Sequence, residues 1–223
     1  MAAPVSVIIA ALNEERKIEA AVKSAFDAGA AEVIVSDGGS GDATRAIAAS
    51  AGARVIDCEP MRSRQFNGGA NAARHESLVF LHADTTLPHG AAAAVDAALH
   101  SAGFGGFRIS FSEPAAKLRL VAALINIRTE ITRCPWGDQA QFLRRSTFLR
   151  DGGFREIPLM EDYELAVRMK RRGRSVVLPL AVVTSGRRFL DKGLLRTAAL
   201  NWYIVARWRL GADAATLARI YRS

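Results

Sequence analysis

An open, mostly parallel α/β sheet with helices on both faces, continued by C-terminal helices, is the fold class that this sequence predicts. Three observations carry it. Short runs rich in Val and Ile alternate with Ala-rich stretches of helical composition through the first hundred residues. Polar residues and glycines gather where several of these runs end. Half of the 223 residues are hydrophobic, enough to build a core on both faces of a sheet. Successive βαβ units lie side by side in one direction, because the crossover helix packs back onto the sheet.

Taken in order, Val5–Ala10 is a continuous apolar run, the pattern of a strand buried on both faces. Asn13-Glu14-Glu15 is expected to open a helix through about Phe26, with Asn as cap and the glutamates at the positive end of the dipole. Glu32–Ser36 reads as the second strand, and Asp42 caps a helix over Ala43–Ala51. Arg54–Asp57 is a third, short strand, Arg62–Arg74 a helix, Leu78–His82 a fourth strand and Gly90–His100 a helix. From Gly103 the rhythm breaks. Gly105–Phe111 alternates as an exposed or edge strand would, and 115–131 reads as an amphipathic helix. Pro135, Gly137, Gly152, Gly153 and Pro158 mark 135–160 as loops and turns. Glu161–Arg172 reads as a helix, Ser175–Leu178 and Ala181–Thr184 as two short strands, and Lys192–Leu210 and Asp213–Tyr221 as two helices.

Charge divides the chain. Residues 1–112 carry 9 Lys/Arg against 12 Asp/Glu, net −3, whereas 113–223 carry 21 against 10, net +11. The second half therefore suits an anionic partner: phosphates, nucleic acid or a lipid surface. Leu194–Leu210 is interrupted by Arg196, Asn201 and Arg207, so it does not span a bilayer. A helix lying on a membrane surface through Trp202, Tyr203 and Trp208, beside Arg207 and Arg209, is compatible with the pattern, as is a helix packed on the domain. The two distant cysteines and the absence of a signal-peptide pattern lead us to expect a cytoplasmic protein, peripheral on the inner membrane face if the tail docks there.

Acidic stations follow the strands. In open α/β sheets ligands bind beyond the carboxyl ends of the strands, and Asn13-Glu14, Asp37 and Asp84 fall at three such ends. The run Ser36-Asp37-Gly38-Gly39-Ser40-Gly41-Asp42 permits a tight turn and close approach of backbone to a ligand, with Asp37 accepting from a base or ribose. Asp84, in His82-Ala83-Asp84, is a candidate ligand for a hard cation bridging two phosphates. Glu161-Asp162 opens a helix, where a carboxylate serves either the dipole or chemistry. A G-x-G-x-x-G fingerprint after the first strand is missing, which argues against a dinucleotide oxidoreductase. The acidic Ala11-Leu12-Asn13-Glu14-Glu15 argues against a nucleotidyltransferase, which needs a glycine-rich basic loop there. A non-catalytic nucleotide- or membrane-surface-binding module of the same fold stays as an alternative, as does a nucleotidyltransferase.

These stations, in this order and spacing over roughly residues 4–185, resemble glycosyltransferase family 2. Arg62-x-Arg64-Gln65-x-Asn67-x-Gly69 and Phe80-Leu-His-Ala-Asp-Thr85 resemble a subgroup of small, stand-alone bacterial members in which His-Ala-Asp replaces the commoner Asp-x-Asp. The resemblance implies a GT-A, Rossmann-like catalytic domain over 1–190, with a nucleotide-binding half (1–102), an acceptor-binding half (103–190) and a helical appendage over 191–223. It implies transfer from a UDP- or GDP-linked sugar to an acceptor hydroxyl, generally with inversion, and no nucleic-acid partner. Ala11, Asn13, Glu14, Asp37, Gly38, Arg64, Asn67 and Ala83 would then belong to the donor site, and Asp84 would hold Mg2+ or Mn2+ on the diphosphate. Asp162, in preference to Glu161, would be the general base. Arg187 and Arg188 stand where many members place an Arg-Trp pair on the diphosphate, although Phe189 follows here. Asp138 and Gln141 are expected at the acceptor pocket. The basic second half makes a phosphorylated or lipid-linked acceptor attractive.

Overall fold

The computed structural model describes residues 3–222. Seven strands form one sheet: β1 Val5–Ala11, β2 Glu32–Asp37, β3 Arg54–Asp57, β4 Ser77–His82, β5 Phe104–Phe111, β6 Phe142–Arg144 and β7 Ser175–Thr184. Their order is β3-β2-β1-β4-β6-β5-β7. All pairings are parallel except those of β6, which runs antiparallel to both β4 and β5. The side chains of β1 alternate between two cores: Val5, Val7 and Ile9 face one, Ile8 the other. The first core is covered by α1 (Ile18–Asp27), α2 (Thr44–Ser50), α4 (Ala91–Leu99) and α5 (Ala116–Thr132). The second lies under α3 (Arg62–Ala72), α6 (Arg145–Arg150), α7 (Glu161–Arg172), α9 (Leu194–Arg209) and α10 (Ala214–Arg222). A short α8 (Arg187–Asp191) links β7 to α9.

Close packing of α3 on β1 explains one glycine. A Cβ on Gly69 would come 2.2 Å from Ile8 Cγ2 and 2.7 Å from Ser36 Oγ, so only a hydrogen fits between helix and sheet.

Several elements depart from expectation. β5 is an interior strand, with Gly105, Gly106 and Phe107 buried between β6 and β7. Its alternation reflects different neighbours on its two faces: Phe107 and Ile109 enter the first core, Gly106 lies against Pro135, and Arg108 pairs with Glu130 on α5 at 2.5 Å. β7 is one strand of ten residues. Its pairing skips Pro179 and Leu180 between Leu178 and Ala181, a bulge that accommodates proline on an edge strand. Residues 135–160 contain β6, α6 and a 3-10 turn at Gly137–Gln139 as well as loops; a three-residue strand is too short to show periodicity. The helix at 115–131 is not amphipathic in the expected sense, because apolar residues lie on its outer side too. α1 starts at Ile18 rather than at Asn13, whose left-handed φ of 54° turns the chain and whose side chain accepts the Gly41 N–H at 2.9 Å.

Candidate active site

Register brings the acidic stations to one edge. Ala11 lies opposite Asp37, and Ala10 opposite His82, so β1, β2 and β4 end together at the carboxyl side of the sheet. Asp37 is fully buried and closes its own glycine loop. It accepts from the Gly39 and Ser40 N–H groups at 3.0 and 2.9 Å and from the Ser40 hydroxyl at 2.5 Å. Gln65 Nε2 donates to the Ala11 and Ser36 carbonyls at 2.7 and 2.9 Å, tying the ends of β1 and β2 to α3.

A cleft of about 900 Å³ opens at this edge, walled by Ala11, Glu14, Arg62, Asp84, Arg187 and Arg188 among others. Carboxylates and guanidiniums oppose one another across it. Burial, and next the charge of Asp84, hold the Glu14 carboxyl above its usual range. Arg62 pairs with the buried Glu161 at 3.0 Å. The Glu161 carboxyl is raised by burial, with Arg62 opposing the rise and Asp162 adding to it. The Arg188 guanidinium lies 3.4 Å over the Tyr221 ring and donates to the Tyr221 carbonyl at 2.8 Å, which joins α10 to the cleft.

A second cavity, of about 580 Å³, adjoins the first and shares Arg62, His82, Asp84, Glu161, Arg188 and Tyr221 with it. Asp138 and Asp162 line this second cavity and not the first. Asp162 is the second residue of α7, and its carboxylate is held from two sides: Gly137 N–H donates at 2.6 Å and Tyr163 N–H at 2.7 Å. Gly137 is pinched here, since a Cβ would stand 3.0 Å from Asp162 Oδ2 and 3.1 Å from His82 Nε2. Burial above all, with the Arg128 charge opposing, pushes the Asp138 carboxyl up to about 6. Burial also drives the His82 imidazole down to about 3, with Arg62 assisting, so it is neutral near pH 7. Its Nε2 is buried without a hydrogen-bond partner among the described residues.

Of the residues named from sequence, Ala11, Glu14, Ala83, Asp84, Glu161, Arg187 and Arg188 line the first cleft. Asp84, Asp138, Glu161, Asp162 and Arg188 line the second. Others support the walls. Asn13 and Asp37 bond within the glycine loop, and Gly38 packs beneath Gln65 and Pro60. Gln141 is buried and donates to the Pro135 and Asp162 carbonyls, both at 2.9 Å. Asn67 clamps the Phe154 backbone through both ends of its amide, and Arg64 turns to Glu59 and Glu156. Arg62 was visible in its motif without a role. Tyr221, and Arg128 stacked 3.7 Å over Trp136, carry no motif at all. Among the described residues no group of three or more His, Cys, Asp or Glu is gathered for a metal, so Asp84 offers one carboxylate to a cation.

The profile of Glycosyl transferase family 2 matches residues 6–134, more than half of the chain. The chain belongs to glycosyl transferase family 2. Solved structures agree on the fold. The mannosyltransferase PcManGT from Pyrobaculum calidifontis, in complex with GDP-Man and Mn2+, is 18% identical with a TM-score of 0.67, over 100% of this chain and 69% of that one. S. aureus TarS 1-349 is 17% identical with a TM-score of 0.64, over 98% and 69%. A mycobacterial protein is 22% identical with a TM-score of 0.57, over 82% of this chain and 65% of that chain. This family 2 glycosyltransferase therefore spans about two thirds of the length of these neighbours. No curated protein shows significant sequence similarity to it.

Proposed function

We propose that the enzyme transfers a sugar from a UDP- or GDP-linked donor to an acceptor hydroxyl with inversion at the anomeric carbon. The observation that carries this reading is the pair of cavities meeting at Asp84, Glu161 and Arg188, with Asp162 on the wall of the second alone. The donor occupies the cleft beside Glu14 and Asp84, with its diphosphate toward Arg62, Arg187 and Arg188. The acceptor enters from the second cavity. Its oxygen forms the new bond to the anomeric carbon on the face opposite the diphosphate. The old carbon–oxygen bond breaks with its electron pair on the departing phosphate oxygen, and the hydroxyl proton passes to Asp162. The guanidiniums stabilise the charge that develops on the leaving group. Asp138 and Gln141 serve the acceptor side: Asp138 on the cavity wall, Gln141 by holding the backbone of Asp162.

Asp84 suits a hard cation whose remaining ligands come from diphosphate and water, the usual situation for Mg2+, rather than a resident metal cage. When bound, Mg2+ or Mn2+ adds positive charge against the diphosphate; Mn2+ accompanies GDP-Man in the complex of PcManGT. By its His82-Ala83-Asp84 in place of Asp-x-Asp, we take the enzyme to resemble the small, stand-alone bacterial members of the family.

Thermal-shift screening of nucleotide sugars with and without Mn2+ tests the reading, in wild type and in Asp84→Ala. A UDP- or GDP-sugar should raise the melting temperature, further with Mn2+, and Asp84→Ala should lose the Mn2+ increment. If no nucleotide sugar shifts the wild type, the donor assignment fails. An increment kept by Asp84→Ala removes Asp84 from the metal.

A further inference from the structure

The second cavity extends from the carboxylates Asp138 and Asp162 outward between α5 and α9, where Val121, Leu124, Phe189, Trp202 and Val205 form its walls. Thr197, Asn201 and the Trp202 indole N–H are among the few hydrogen-bonding groups on that side, so a wholly polar acceptor would lie mostly against apolar wall. The outer side of α5 continues the apolar surface. Leu120, Leu124, Ile127 and Ile131 follow one another at steps of four, three and four residues, which makes one stripe along a helix. Each is more than half exposed, Ile131 by 77%. Leu118, Ala122 and Thr129, the buried residues of α5, lie on the opposite side of the helix. On α9, Leu195 is 87% exposed and Trp202 58%. A contiguous apolar surface of this kind marks a contact face.

Charge selects what covers it. Lys117 and Arg119 on α5, and Arg196 and Arg207 on α9, are exposed around the apolar surface, in the half of the chain that carries 21 Lys/Arg against 10 Asp/Glu. A second copy would bring the same cations to the same face, so like charge opposes self-association. Anionic lipid complements it. No helix among the described residues is long and apolar enough to cross a membrane, so the contact lies in the plane of the surface.

Resting on the donor and base assignment above, we propose that the acceptor is an amphiphile, a hydroxyl-bearing head group on an apolar chain. It is drawn into the α5–α9 cavity from an anionic lipid surface on which the outer side of α5 rests.

Co-sedimentation of the full chain with vesicles tests this, using phosphatidylcholine alone and phosphatidylcholine mixed with phosphatidylglycerol. The chain should bind the anionic vesicles and not the neutral ones. The triple variant Leu120→Glu, Ile127→Glu, Ile131→Glu, which leaves the cavity walls intact, should weaken that binding by more than about tenfold. Brominated phosphatidylcholine in the anionic vesicles should quench tryptophan emission, and Trp202→Phe should remove most of the quenching. Failure to bind, equal binding to both vesicles, or binding unchanged in the triple variant overturns the proposal. So does a concentration-dependent dimer that the triple variant abolishes, because the face would then belong to a second copy. Titration with UDP and GDP in the presence of Mn2+ separates the two levels. Nucleotide binding without vesicle binding defeats the amphiphile proposal alone. Vesicle binding without nucleotide binding removes the donor assignment and, with it, the acceptor assignment.

Discussion

Asp138 shows how much one half-buried carboxyl sets at this site. In the folded chain it is held at about 6 against an ordinary value of 3.8, because burial outweighs the attraction of Arg128. The folded state therefore binds more protons than the unfolded state between those values. Stability from this residue is present below the lower value and is lost as pH rises through the upper one. Asp138→Asn should accordingly gain stability over wild type as pH climbs from 4 to 7, on the order of 1–2 kcal/mol once solvent in the cavity is allowed for. Urea denaturation across that range checks it; a difference that does not change with pH would contradict it. Residues such as Asp37 and Asp84 were legible because strand ends in a parallel sheet point to the ligand edge. Which side chain turns inward was not. Arg62 and Arg64 sit about 200° apart around α3, so one meets Glu161 in the cleft while the other meets Glu156 outside. A motif names both and does not phase them.

Among the elements, α3 carries much of the proposed donor side. It carries Arg62 to the cleft and Gln65 to the ends of β1 and β2, and Gly69 lets it approach. Gly69→Ala should cost about 1–3 kcal/mol through overpacking against Ile8 and Ser36, despite the better helix propensity of alanine. A urea midpoint unchanged from wild type would show that the helix shifts freely. The first four strands were readable because each is a short apolar run, β-branched in β1, β2 and β3, beside a stretch of helical composition. β6 was not, since its three residues gain their strand conformation only from β4 and β5 on either side. The interior position of β5 was hidden for a related reason. Its polar residues are satisfied by neighbours distant in sequence, as Arg108 is by Glu130.

Over the whole molecule, the C-terminal helices return to the start of the chain. Tyr221 on α10 lines both cavities and stacks under Arg188, although no pattern in the tail announces a functional residue. Contacts of this range depend on where α9 leaves the sheet, and the sequence carries no local signal for that. Tyr221→Ala should weaken donor binding by up to about tenfold, the scale of a partly buried cation–π contact, by freeing Arg188. Isothermal titration with the donor nucleotide checks this, and an unchanged affinity would separate α10 from the donor site. The central claim joins both cavities in one reaction with Asp162 between acceptor and donor. Single-turnover transfer by Asp162→Asn, measured alongside donor affinity, tests it most directly. The rate should fall by about 10²–10⁴-fold with donor affinity within a few-fold of wild type; transfer at the wild-type rate would contradict the account.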